Sequence, residues 1–200
     1  MIEFLTLAPV ASFIFVLTLG TSLLAFSNPN IYAKFILNPY EVSRGYRVYT
    51  VITSGLIHAD WNHLFFNMLS YYFFAFELEK MLGHWQFGVL YLATMILADL
   101  PSIQKHKNDS WYNTLGASGA ISAVIFSFIL FQPHAEFRFM FAIPITAYIF
   151  GILYLVYCHF ASRYARNNIN HDAHLFGALS GILITIILHH GIINEFIAQF

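Results

Sequence analysis

Residues 4–26 carry no charged side chain. A bilayer core of ~30 Å is crossed by about 20 mostly apolar residues of helix, and this run is long enough. It does not read as a secretion leader, because Glu3 stands where a basic region would be, the run is long, and no small-residue cleavage site follows. Further apolar runs occupy 61–82, 85–103, 117–131, 137–160 and 173–188, with a polar stretch at 27–60. Six runs use most of the 200 residues, which predicts an all-α, polytopic membrane protein forming one domain over 1–200. Hardly any residues lie outside the first and last runs, so no soluble regulatory domain is expected. Composition agrees. Charged residues are 10%, too few to cover a water-facing surface that normally carries about 25%. An aromatic content of 18% excludes disorder. A formal net charge of −1 gives no electrostatic basis for nucleic-acid binding. The single cysteine, Cys158, excludes an internal disulfide and a thiolate metal cluster.

The fourth run is short. Between Gly119 and Gln132-Pro133 the helix would advance only roughly 20 Å, less than the ~30 Å core. Its first turn is therefore expected below one membrane surface. The entry at 114–118 would dip in as non-helical backbone, which is tolerated only beside protein or water. A submerged, wet cavity beside Ser118 follows.

Polar side chains inside apolar helices are costly, and each is a functional candidate. His63 and Asn67 are four apart and share a helix face. Both can donate hydrogen bonds, either as glue between helices or as a site. Ser118 sits between Gly116-Ala117 and Gly119-Ala120, at a helix start where backbone N–H groups are unpaired and face anions. Ser122, mid-helix, is expected to bond back to a carbonyl one turn earlier. In the sixth run Ala173, Gly177 and Gly181 recur every four residues, the small-residue pattern that lets membrane helices touch. Gly119 and Ala123 repeat it in the fourth. Packing these faces together would bring His174 toward Ser118, a nucleophile and a base. Asp172 points off that face and is expected to be an N-cap, not a third catalytic member.

These segments resemble a known family. The stretch Thr53-Ser54-Gly55-Leu56-Ile57-His58-Ala59-Asp60-Trp61-Asn62-His63-Leu64-Phe65-Phe66-Asn67-Met68 is similar to the second helix of rhomboid intramembrane serine proteases. Gly116-Ala117-Ser118-Gly119 matches their G-x-S-G motif, and Ala173-His174-Leu175-Phe176-Gly177, with Gly181, their A-H-x-x-G motif. The resemblance implies a six-helix rhomboid-like bundle with a short, submerged fourth helix. It implies a serine endopeptidase cutting transmembrane segments of membrane proteins. Ser118 would be the nucleophile and His174 the base. His63, Asn67 and the Ser118 N–H would form the oxyanion hole. His58, Gly116, Gly119, Gly177 and Gly181 would be structural supports, as would Glu79 and Gly83 at the end of helix two. No cofactor or metal is implied. The partners implied are transmembrane substrates and the lipid bilayer, in a bacterial inner membrane.

Two positions depart from the family pattern. Relatives often carry an arginine eight residues before the first histidine; here that position is Thr50, with Arg47 nearest. Some place an aromatic residue four after the serine, beneath the histidine ring; here it is Ser122. The family's orientation, with a cytoplasmic N-terminus, leaves only Lys80 and Arg138 inside. Lys34, Arg44, Arg47, Lys105, Lys107, Arg163 and Arg166 would lie outside, against the positive-inside bias.

His84, His106, His134, His189 and His190 fall near run ends or in loops, where solvation is expected, and His159 reads as interfacial. His171 and His174 are three apart, but no acidic or cysteine ligand accompanies them at metal spacing. H-E-x-x-H is absent, which disfavours a zinc protease. A non-catalytic rhomboid-like escort factor is the alternative function; such members typically lack the serine or the histidine. A transporter would show two repeated halves, which the sequence lacks.

Overall fold

The computed structural model describes residues 6–139, 143–165 and 169–200. Residues 4 and 5 of the first predicted span, 140–142 of the fifth, and Arg166 lie outside the described residues. The long helices are α1 (Pro9–Ser27), α2 (Trp61–Leu82), α3 (His84–Lys105), α4 (Ser118–Phe131), α5 (Ala147–Tyr164) and α6 (His171–Leu188). By length and composition α1, α3 and α6 can each cross a membrane. Short α4 stands at the centre, packed against α2, α3, α5 and α6, and most of its side chains are buried. The outer helices turn Phe13, Val16, Phe73, Leu92, Ile152 and Leu183 outward. An apolar exterior around a buried polar-dotted centre is the arrangement of a multi-pass helical bundle in lipid.

The end of α2 fixes the start of α1. Pro9 opens α1 at the position where its missing N–H costs nothing. The next two N–H groups, of Val10 and Ala11, donate to the Glu79 carboxylate at 3.1 and 2.5 Å. Glu79 is fully buried, and His84 Nδ1 lies 2.7 Å from the same carboxylate. A negative group against a helix N-terminus is favourable. Glu79 is thus a strut between three helices. Gly83, at φ +103°, makes the reversal between α2 and α3 in a backbone region that side chains disfavour.

The fifth predicted span is shorter than expected. Glu136–Phe139 pairs antiparallel with Ile143–Thr146 as strands β1 and β2, and α5 begins only at Ala147. Pro144 explains this. It lacks an N–H and pushes residue 143 out of the helical region, so the apolar run 137–160 splits into a hairpin and a helix.

The polar stretch 27–60 folds into short helical turns, Pro29–Phe35, Pro39–Val42 and Thr50–Thr53, ending in the 3-10 turn Ser54–Leu56. Arg47, the arginine nearest the departing position Thr50, anchors these turns. Its guanidinium donates to the carbonyls of Ala33, of Lys34 (3.0 Å) and of Ile36 (3.3 Å), and pairs with Glu41 at 2.9 Å. These carbonyls are the orphan acceptors at the end of the first turn. Arg44 donates to the carbonyls of Tyr40 and Lys107 at 2.9 and 2.8 Å. Lys105 pairs with Asp172 at 2.7 Å. Three of the cations counted against the positive-inside bias are therefore tied into loop structure. Replacing Arg47 with alanine strands those carbonyls and is expected to lower stability by about 1.5–3 kcal/mol, the range for hydrogen bonds to a charged group. Denaturant unfolding in micelles and faster proteolysis within 29–53 would show it. An unchanged midpoint would remove this anchoring role.

Candidate active site

Three constraints position the backbone before Ser118. Asn38 accepts from the Glu41 N–H, and its amide donates to the carbonyls of Ser110 and Tyr112 at 3.0 and 3.1 Å. Leu37 and Thr114 exchange backbone hydrogen bonds at 3.1 and 2.9 Å. The Gly116 N–H then donates to the Ser54 carbonyl at 2.9 Å. The stretch 27–60 thereby clasps the α3–α4 connection at three levels. Gly116, at φ +113°, turns the chain into α4, whose first residue is Ser118. The half-buried serine thus stands at a helix N-terminus, where the first N–H groups lack intrahelical partners.

His63 lies against this turn. A Cβ on Gly116 would come within 2.6–2.7 Å of its Cε1 and Nε2, so only glycine admits the ring there. The Ala59 N–H donates to His63 Nδ1 at 3.4 Å. In the neutral ring that leaves the hydrogen on Nε2, the atom facing Gly116. Asp60 caps α2 by accepting from the His63 N–H at 2.8 Å. One turn further, Asn67 is buried, and its amide donates to the His63 carbonyl at 2.8 Å. Behind both, His58 is fully buried, with Nδ1 2.9 Å from Ser22 Oγ and its ring edge-on to His63, centroids 4.9 Å apart. Thr21 and Ser22 of α1 also donate to the Leu56 carbonyl at 2.6 and 3.0 Å. His58 and these bonds moor the loop to α1.

The small-residue faces of α4 and α6 meet in the register the sequence predicts. A Cβ on Gly177 would fall 2.1 Å from the Gly119 carbonyl oxygen, and one on Gly181 would fall 2.5 Å from Ala123. The Ala173 carbonyl packs on Gly119. The helices touch backbone to backbone at Gly119 and Ala173, the chain neighbours of Ser118 and His174. Lower down, Thr185 donates to Ser127 at 2.7 Å and Ser127 reaches the Gly181 carbonyl at 3.3 Å. Such bonds reinforce helix pairs in lipid.

Ser122 does not bond back along its own helix. Its hydroxyl meets the Tyr154 hydroxyl of α5 at 2.7 Å. The Tyr154 ring lies nearly parallel to the His174 ring, at 6.4 Å and 23°. An aromatic ring from α5 therefore faces the imidazole, with Ser122 of α4 bonded to its hydroxyl. The sequence signal for it was one tyrosine in an apolar run, which no motif singles out. Asp172 is not the cap of α6: Asn170 accepts from the Ala173 N–H at 3.0 Å, while Asp172 pairs with Lys105. Cys158 of α5, 13 positions before His171 in the chain, lies beside His171 and His174. Of the loop histidines, His106 pairs with Asp109 at 2.8 Å, His189 with Glu195 at 3.0 Å, and His134 with the Gln199 carbonyl at 2.9 Å.

A cavity adjoins Ser118, with space of about 20 Å³ and a lining that includes Asp99, Thr114 and Asn170. About 10–15 Å³ of such space admits a water, so the helix start has room for one among polar neighbours.

A family model of the rhomboid domain matches residues 45–191. The chain belongs to the rhomboid family. The match spans every motif residue from His58 to Gly181. The Bacillus subtilis (strain 168) rhomboid named "Putative rhomboid protease YdcA" is 30% identical over 194 residues, covering 92% of this chain and 90% of its own. "RHOMBOID-like protein 12, mitochondrial" of Arabidopsis thaliana is 28% identical over 72% of this chain. "Rhomboid protein 1, mitochondrial" of Saccharomyces cerevisiae is 29% identical over 67% of it. This rhomboid spans 49% and 40% of the length of those two.

Proposed function

We propose that this rhomboid is a serine endopeptidase that cleaves transmembrane segments of membrane proteins with a Ser118–His174 dyad. The observation that carries the reading is the α4–α6 register. Glycine contacts bring the chain neighbours of the serine and the histidine together, and the ring of Tyr154, whose hydroxyl meets Ser122, lies near-parallel to the imidazole. His174 takes the Ser118 proton as the hydroxyl attacks a carbonyl carbon, and returns it to the leaving amine. The oxyanion that forms is met by the Ser118 N–H and His63 Nε2–H, with Asn67 one turn along. One such donor is worth about 3–4 kcal/mol. A water deprotonated by His174 then hydrolyses the acyl-enzyme. We assign the whole chain to one membrane domain and place it in a bacterial inner membrane. Both serine and histidine are present, which favours an enzyme over a non-catalytic escort factor.

A helical substrate hides its carbonyls in hydrogen bonds, so it must unwind before attack. In liposomes, a single-span substrate with two or more glycines in its helix is expected to be cut at least ~10-fold faster than one with leucine there. This follows from a per-residue helix propensity difference near 1 kcal/mol for glycine. Failure of the wild-type protein to cut either substrate would overturn the reading.

A further inference from the structure

Beside the dyad, α5 and α6 bring three soft ligands together. The Cys158 sulfur and one nitrogen each of His171 and His174 all lie within 4.8 Å of one another. Cys158 and His171 are buried, and His174 is half-buried. His171 and His174 are three apart on one helix, so both rings project from the same side. The spacing visible in the sequence lacked a third ligand. The fold supplies it from the neighbouring helix.

We propose that Cys158, His171 and His174 form a binding site for a zinc-class divalent cation, and that occupancy withdraws His174 from Ser118. A thiolate with two imidazoles is the donor set that selects zinc over magnesium or calcium. Zinc–sulfur bonds of about 2.3 Å and zinc–nitrogen bonds of about 2.0 Å hold tetrahedral ligand atoms roughly 3.3–3.6 Å apart. Closing the cluster from 4.8 Å to that spacing takes a contraction of at most about 1.5 Å. Three protein ligands leave a fourth position for water.

Coordination is a ligand exchange with no redox step. The Cys158 thiol gives its proton to solvent as sulfur binds, and each neutral imidazole contributes its one lone pair. That lone pair is the one with which His174 would accept the Ser118 proton. Metal-bound His174 cannot act as the base, whichever ring nitrogen binds. The switch is reversible by removal of the ion.

The binding half of this inference is independent of the proteolytic reading; its consequence rests on that reading. Cobalt(II) added to Ser118→Ala protein in micelles is expected to give thiolate-to-cobalt charge-transfer absorption at one equivalent. Zinc should displace it, and Cys158→Ser should abolish it. No such band, or a band that survives in Cys158→Ser, would overturn the site. In the wild type, zinc at about 10 µM or below is expected to suppress cleavage and fluorophosphonate labelling, with a chelator restoring both. Cys158→Ser and His171→Gln lie outside the proposed chemical steps. Both should cut the substrate without metal and need at least about tenfold more zinc for inhibition. Equal zinc sensitivity in both variants would overturn the switch. A wild type that never cuts would overturn the protease assignment, while the cobalt titration still decides the site.

Discussion

Cleavage of a single-span substrate is expected to fall by about 10⁴-fold or more in Ser118→Ala and in His174→Ala, as it does when one member of a nucleophile–base unit is lost. The two residues act in one proton transfer, so the double variant should be no slower than either single one. That non-additivity separates a dyad from two independent contributions to binding. The measurement is initial cleavage rate in liposomes with matched protein loading. Undiminished cleavage by either variant would refute the assignment. Ser118 lies in the chain between Gly116-Ala117 and Gly119-Ala120, is half-buried, and loss of its hydroxyl should leave unfolding midpoints unmoved.

The second large effect is mechanical. Gly177→Ala puts a methyl 2.1 Å from the Gly119 carbonyl oxygen, and that oxygen belongs to backbone that cannot rotate away. α4 and α6 must separate. The cost is expected at or above the top of the range of about 1–3 kcal/mol for overpacking. Activity should fall further than stability, because separation also moves the helix that carries His174 away from the helix that carries Ser118. Gly20, with open space around it, is the control: Gly20→Ala should leave both properties unchanged. Denaturant unfolding in micelles, run beside the cleavage assay, checks this. Equal tolerance of alanine at 177 and 20 would contradict the close helix contact.

The small-residue repeats at Gly119/Ala123 and Ala173/Gly177/Gly181 show why the helix contact was legible in the sequence. Absence of a side chain on a membrane helix has few uses besides close approach. The boundaries of α2 were legible because Asp60 caps its start and Gly83 ends it. The pairing of Glu136–Phe139 with Ile143–Thr146 was hidden because Phe and Ile suit both an apolar span and a strand. Pro144 alone distinguished them. The supports of the site were hidden for another reason. Tyr154, Arg47 and Cys158 act across helices or loops, and their partners lie 6 to 32 positions away in the chain. Periodicity reports only which face a residue occupies. Arg47 in particular holds its loop through carbonyls that no side-chain motif reveals.

The account's central claim is that His174 makes Ser118 a nucleophile inside the bundle. The most direct measurement is reaction with a fluorophosphonate probe, followed by peptide mapping. The prediction is a single adduct on Ser118 in the folded wild type, lost in His174→Ala and lost on denaturation. Labelling of Ser118 that persists at full rate without the imidazole, or an adduct on another serine, would contradict it.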